Sequence, residues 1–194
     1  MTTEQVHPVA AASWQLLVDR LAAETDPRRR ANLEIVARHV DAEVRGDLDA
    51  LMATLTTTPI YRYLGATASS GPVGAEAVRA YYAKSVETGK NRLEFEIDNV
   101  VVDEHAVVTG GVFRHAYVGS ELRSRGHDES TVRDPDAWYL VQYRAIVLWP
   151  ISASDGLIAG EDVYIAEAPR VERQLSEDEA PQLGPVGRYR GPGG

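Results

Sequence analysis

From Leu93 the chain alternates: Leu93, Phe95 and Ile97 are separated by Glu94, Glu96 and Asp98. That period of two belongs to a strand with one face in a core and the other in water. The pattern turns at Asp103-Glu104-His105 and resumes, with Val107, Thr109, Phe113, His115 and Tyr117 on one side and Val108, Val112, Arg114 and Ala116 on the other. Two long paired strands are predicted. Gly110-Gly111 interrupts the second, and glycines inside a strand mark a bulge or bend that lets a sheet curl. A curled sheet with a histidine on its inner wall would build a small cone-shaped pocket. Whether the interruption swaps the faces decides whether His115 looks into it.

The period changes elsewhere. Trp14, Leu17, Val18 and Leu21 predict a short amphipathic helix over Ala10 to Ala23, stopped near Asp26-Pro27 and packed as a lid or dimer element. Pro27 opens a second helix with the stripe Leu33, Val36, Ala37, Val40 and Val44, which ends near Gly46. Asp47 caps a further turn through Met52; Thr56-Thr57-Thr58-Pro59 breaks it. Ile60 to Leu64 reads as a short strand, Gly65 to Gly74 as a loop of small residues, and Ala75 to Val86 as a third helix. Gly119 to Asp136 is polar and aperiodic, and structureless loops longer than about 12–15 residues are uncommon within a domain unless they act as lids or insertions. Trp138 to Trp149 carries the apolar face Tyr139, Val141, Tyr143, Ala145, Val147 and Trp149, and Leu157 to Ala166 is the last strand. Residues 1–26 thus form an N-terminal extension helix, 27–168 one α+β domain, and 169–194 a flexible Pro/Gly-rich tail.

Composition narrows the function classes. Net charge is −9 with no basic stripe, so nucleic acid is not an expected partner, and the same sign disfavours an anionic membrane. The absence of cysteine removes disulfides, thiolate metal sites and cysteine nucleophiles. Neither a basic-then-apolar leader nor a run of about 18 apolar residues occurs, so a soluble, cytoplasmic protein is expected.

Four stretches go further: Gly46-Asp47-Leu48-Asp49-Ala50-Leu51, Gly74-Ala75-Glu76-Ala77-Val78-Arg79-Ala80-Tyr81-Tyr82, Phe95-Glu96-Ile97-Asp98-Asn99-Val100-Val101-Val102, and Asp155-Gly156-Leu157-Ile158 before Asp162-Val163-Tyr164. In this order and spacing, over roughly Asn32 to Ala166, they resemble the nuclear transport factor 2-like superfamily and its SnoaL-like polyketide cyclase and dehydratase branch. The resemblance implies a cone-shaped, curved antiparallel sheet wrapped around N-terminal helices, an α+β barrel of the cystatin-like kind. It also implies a frequent homodimer. The fold hosts isomerases, dehydratases, hydrolases, cyclases and non-catalytic modules, so the reaction has to come from the site. Ketosteroid isomerases of the superfamily carry acids where this chain has Tyr61-Arg62-Tyr63 and Arg144-Ala145, and epoxide hydrolases and many cyclases carry one where it has Val163 or Ala166. What remains is similar to the dehydratases: Asp41 on the long helix and His115 after the central hairpin, with Gly89-Lys90-Asn91 where those proteins have a second histidine.

His115 is accordingly the expected acid/base and Asp41 its orienting carboxylate, since a general base needs a partner. Asp41 lies about 90° from the centre of its helix stripe, which also suits a solvated helix-edge aspartate. His39 and Glu43, at the opposite edge, are rivals for the acid role. A flat apolar ligand would meet His39, Tyr61, Tyr82, Phe113, Tyr143, Arg144 and Tyr164, aromatics with polar tips plus an arginine to neutralise an enolate; core packing, or an Arg144–Glu161 ion pair, are the plainer uses. His127-Asp128-Glu129 has metal-ligand residue types but no second cluster, so neither metal nor cofactor is expected. Two readings stand: an enzyme doing cofactor-free acid/base chemistry (dehydration, isomerisation or aldol-type cyclisation) on an apolar carbonyl or polyketide-like small molecule, or a ligand-binding or dimerisation module of the same fold.

Overall fold

The computed structural model describes residues 14–66, 68–91, 93–176 and 179. Helix α1 (Gln15–Ala23) buries Trp14, Leu17 and Leu21 against α2 and the first strand of the central hairpin, so it is part of the core. The start of the expected first helix, 10–13, lies outside the described residues.

Helix α2 (Pro27–Arg45) begins where Asp26 accepts from the Arg28 and Arg29 amides and Pro27 supplies a preset φ. It ends at Gly46, whose φ of 68° is left-handed backbone that a glycine adopts without strain. Its buried side is wider than the predicted stripe: Asn32, His39 and Asp41 are buried with Leu33, Val36, Val40 and Val44. Short α3 (Leu48–Met52) follows, capped by Asp47.

Strand β1 (Leu55–Gly65) starts five residues before the expected strand. The threonines and Pro59, predicted to break the chain, lie within it, next to an irregularity in its pairing. Inside the expected small-residue loop, β2 (Ser69–Val73) pairs β1, and α4 (Ala75–Glu87) follows as predicted. The central hairpin is β3 (Leu93–Val102) and β4 (Ala106–Val118). Then come α5 (Gly119–Ser124), β5 (Trp138–Pro150), β6 (Ile158–Ile165) and β7 (Arg170–Gln174).

Among the described residues the sheet has seven strands, six in the order β2-β1-β6-β5-β4-β3 and β7 off this path on β5, curved but not closed. It is mixed: β1 runs parallel to β6, which sets Tyr61 beside Glu161 and Tyr63 beside Val163. One edge of β5 is divided between two partners, Ala145–Leu148 against β6 and Tyr139–Gln142 against β7. Two segments depart from the sequence pattern. The chain beyond Pro169 does not leave the domain at once, because β7 is paired and Leu175 is buried. The polar 119–136 run is also not structureless: Leu122 and Val132 are buried under Tyr139 and Val141, and the Arg123 guanidinium donates to the Val132 and Arg133 carbonyls. A small apolar cluster and a captured arginine hold it down without any visible period.

Candidate active site

The concave face of the sheet, α2 and α4 enclose a cavity of about 80 Å³. One wall is aromatic. Phe95, Phe113 and Tyr143 are direct cross-strand neighbours on β3, β4 and β5, and their rings stack at 4.0 and 5.3 Å between centroids. His115 continues the ladder on Tyr143 at 5.5 Å. The Gly-Gly step does not swap the faces, because the extra residue sits across from it: Ile97 pairs Gly111 and Asn99 pairs Gly110, so Asp98 is the bulge. His115 therefore keeps the inward side of Val107, Thr109 and Phe113.

The opposite wall is polar and hydroxyl-rich. Glu43 from α2, Tyr81 and Tyr82 from α4, Tyr63 from β1 and Glu161 from β6 converge there. The Tyr82 hydroxyl donates to Glu161 Oε1 at 2.9 Å and lies 3.2 Å from the Tyr61 hydroxyl. His39, with no exposed surface, sits directly behind, its Nε2 3.1 Å from the same Glu161 oxygen and its Nδ1 2.6 Å from the Thr54 hydroxyl.

Burial shapes the protonation of this wall. Glu43 is half-buried and lines the cavity. Burial first, then the negative charge of Glu161, pushes its carboxyl up to about 8. Burial likewise drives the Tyr61 and Tyr82 hydroxyls well above their ordinary range, with Glu161 adding to the shift. Those phenols stay protonated as donors. Across the cavity, burial pushes His115 down to about 4, with the Lys90 backbone pulling the other way and the Arg125 and Lys90 charges adding to the depression. His115 is neutral at pH 7, and its Nε2 meets the Tyr143 hydroxyl at 3.0 Å, not a carboxylate.

The predicted residues divide into three groups. Tyr82, Phe113, His115 and Tyr143 line the cavity. His39 and Tyr61 are buried one layer behind it. Asp41, Arg144 and Tyr164 are elsewhere. Asp41 is held by its own helix, its Oδ2 accepting from Arg45 Nε at 2.9 Å and Nη2 at 2.8 Å. Arg144 and Tyr164 point outward because Tyr143, Ala145, Val163 and Ile165 take the inner face, and Arg144 makes a bidentate pair with Asp98 instead of Glu161. In the polar loop, Asp128 accepts from Ser130 and Thr131 and Glu129 faces Arg123.

Glu161 was readable as more than an ion-pair partner. In β6 it falls on the same parity as Val163 and Ile165, both buried, and a carboxylate on an apolar face is the signal. Thr54, in a turn between α3 and β1, gives no such cue. The acids absent from Tyr61-Arg62-Tyr63, Arg144-Ala145, Val163 and Ala166 thus leave a cavity that is nonetheless acidic, supplied by Glu43 and Glu161.

A sequence profile for the SnoaL-like domain matches residues 36–139, more than half of the chain. The chain belongs to the SnoaL-like family. Solved structures of this fold superpose on it. A protein of Jannaschia sp. CCS1 assigned as a SnoaL-like polyketide cyclase is 22% identical over 73% of this chain and 90% of its own, with a TM-score of 0.53. The epoxide hydrolase/cyclase-like enzyme SalBIII, of pyran ring formation in polyether salinomycin, is 16% identical over 71% and 93%, at 0.50. RV0760c of Mycobacterium tuberculosis, in complex with estradiol-17beta-hemisuccinate, is 13% identical over 69% and 92%, at 0.52. These likenesses establish the nuclear transport factor 2-like fold and no more. Among curated proteins, none matches this sequence. The SnoaL-like profile spans Glu43, Tyr82 and His115 and ends at 139, before Tyr143 and Glu161.

Proposed function

We propose that this SnoaL-like protein is an enzyme performing proton chemistry without a cofactor, a dehydration, isomerisation or aldol-type cyclisation, on a flat apolar carbonyl or polyketide-like compound. One observation carries the reading: two carboxyl groups, Glu43 and Glu161, share one cavity wall with different partners. Burial keeps Glu43 protonated at neutral pH, while Glu161 accepts from Tyr82 and faces His39. Two carboxyls in one wall, set in different surroundings, are the arrangement from which an acid and a base can be assigned. In this reading Glu161 takes the proton alpha to the carbonyl. Glu43 donates to the carbonyl oxygen as charge grows on it, while the Tyr82 hydroxyl keeps its proton on Glu161 and orients that carboxylate. The Phe95–Phe113–Tyr143 ladder receives the flat skeleton by stacking, and His115, neutral and tied to Tyr143, holds that ring in place and is not the base. RV0760c in complex with estradiol-17beta-hemisuccinate supports a flat apolar ligand for a protein of this fold.

The test is α-hydrogen exchange of 2-tetralone and 1-indanone in D2O, followed by proton NMR. The native protein is expected to accelerate exchange, Glu161→Gln to lose about 10²–10⁴ of that rate, and Glu43→Gln to lose its high-pH limb. A folded Glu161→Gln variant exchanging at the native rate would sink the assignment. The tight aromatic packing and the small cavity favour one rival, a non-catalytic ligand-binding module; native protein that binds these ketones but leaves exchange at the buffer rate decides for it.

A further inference from the structure

Behind the cavity wall lies a chain of hydrogen bonds that the proposed chemistry does not itself require. Thr54 and His39 are buried, at 1% and 0% exposure. The Thr54 hydroxyl lies 2.6 Å from the Leu51 carbonyl oxygen and 2.6 Å from His39 Nδ1. A hydroxyl has one proton, and a carbonyl oxygen can only accept. Were that proton given to Nδ1, two oxygens would face each other at 2.6 Å with lone pairs opposed. The proton must therefore go to Leu51, and the Thr54 oxygen then accepts from the ring. Nδ1 carries a hydrogen.

The other nitrogen follows from this. Nε2 faces Glu161 Oε1 at 3.1 Å and the Tyr82 hydroxyl at 3.3 Å. Tyr82 spends its single proton on Glu161 at the shorter distance of 2.9 Å, and can accept from Tyr61 at 3.2 Å. Between Nε2 and Oε1, then, stand two acceptors unless a proton lies there. We propose that Thr54 is a positioning residue: by holding His39 in the Nδ1–H form it makes Nε2, the nitrogen against Glu161, the one that gains and loses a proton. Thr54, Tyr82, Glu161 and, through the hydroxyl chain, Tyr61 are the polar groups packed around the ring, with Trp149 edge-on at 5.5 Å and the Glu43 carboxyl on the same wall. With the proton on Nε2, Glu161 is a carboxylate able to take another from a ligand; with the proton on Oε1, it is an acid. The inference rests on the proposed function for its use, but not for its test.

The test is the nitrogen-15 NMR spectrum of histidine-labelled, ligand-free protein between pH 6 and 9, compared with Thr54→Val and Thr54→Ser. Native protein is expected to show His39 Nδ1 as a pyrrole-type, protonated nitrogen throughout, with any titration confined to Nε2. In Thr54→Val the orphaned Nδ1–H has no acceptor, so the ring gives that proton up and keeps its one hydrogen on Nε2 against Glu161, and Nδ1 becomes pyridine-type. Thr54→Ser keeps the hydroxyl and the native pattern. An unprotonated Nδ1 in the native protein, or a Thr54→Val spectrum identical to native over the whole range, overturns the proposal. The native spectrum alone decides if Thr54→Val fails to fold. Because no substrate is present, an enzyme reading that fails by ketone exchange leaves this result standing, and the reverse holds too.

Discussion

At Glu43 the same burial that suits the carboxyl to the proposed acid role costs the fold stability. An unfolded glutamate ionises near 4.5; in the folded cavity the carboxyl holds its proton up to about 8. Between those values the folded state binds the extra proton, so the stability present below pH 4.5 declines as pH rises and is fully lost above about 8. Glu43→Gln removes this titration and keeps the shape. The variant is expected to match native protein near pH 4.5 and to become more stable than it by about 2 kcal/mol at pH 8.5, a figure discounted for the water the cavity admits. Urea unfolding of both proteins at matched pH reads the difference, in which other groups cancel; parallel curves from pH 5 to 8.5 would mean the buried carboxyl is not held protonated.

At the scale of the element, the β3–β4 pair depends on a glycine whose neighbour is dispensable. A Cβ at Gly111 would stand 2.1 Å from the Glu96 carbonyl oxygen, where the Asp98 bulge draws β3 across β4. A Cβ at Gly110 would meet nothing closer than the Asn99 side chain at 3.5 Å, ordinary contact. Gly111→Ala is therefore expected to cost about 2–3 kcal/mol as the strands are forced apart, and Gly110→Ala no more than about 0.5 kcal/mol; equal losses in chemical denaturation would remove the steric account. This pair also shows what the sequence discloses. Alternation in β3, β4 and β5 is enough to put Phe95, Phe113, His115 and Tyr143 on one wall, since period two is local. The same rule places Glu161 inward and Arg144 and Tyr164 outward, and the expectation that the latter two touch ligand came from residue chemistry set above parity. Which strand bulges is not local, because two glycines permit close approach without saying which side fills it. Nor is the Thr54–His39–Glu161 chain, whose members are distant in sequence and meet only when α2 lies in the sheet.

For the whole molecule, the convex side of the sheet is the surface still to be used. Ile146 and Tyr164 are register neighbours there, 49% and 46% exposed, and Val101 on β3 is exposed as well. Ion pairs flank this strip, Arg62 with Asp162 and Arg144 with Asp98. Arginines and aspartates side by side present both signs, so a second copy turned by a two-fold axis meets its complement, and the apolar strip meets itself. The homodimer implied by the superfamily resemblance is proposed on this face. The candidate cavity is lined from the other face of the sheet, so dissociation is expected to leave ligand binding there in place. Light scattering after size exclusion is expected to give twice the mass of the 21.2 kDa chain for native protein and the single-chain mass for Ile146→Lys/Tyr164→Lys, with ketone binding retained. A native monomer removes the proposal; a double variant that stays dimeric moves the interface off this strip, since two lysines from each copy would stand unpaired at its centre.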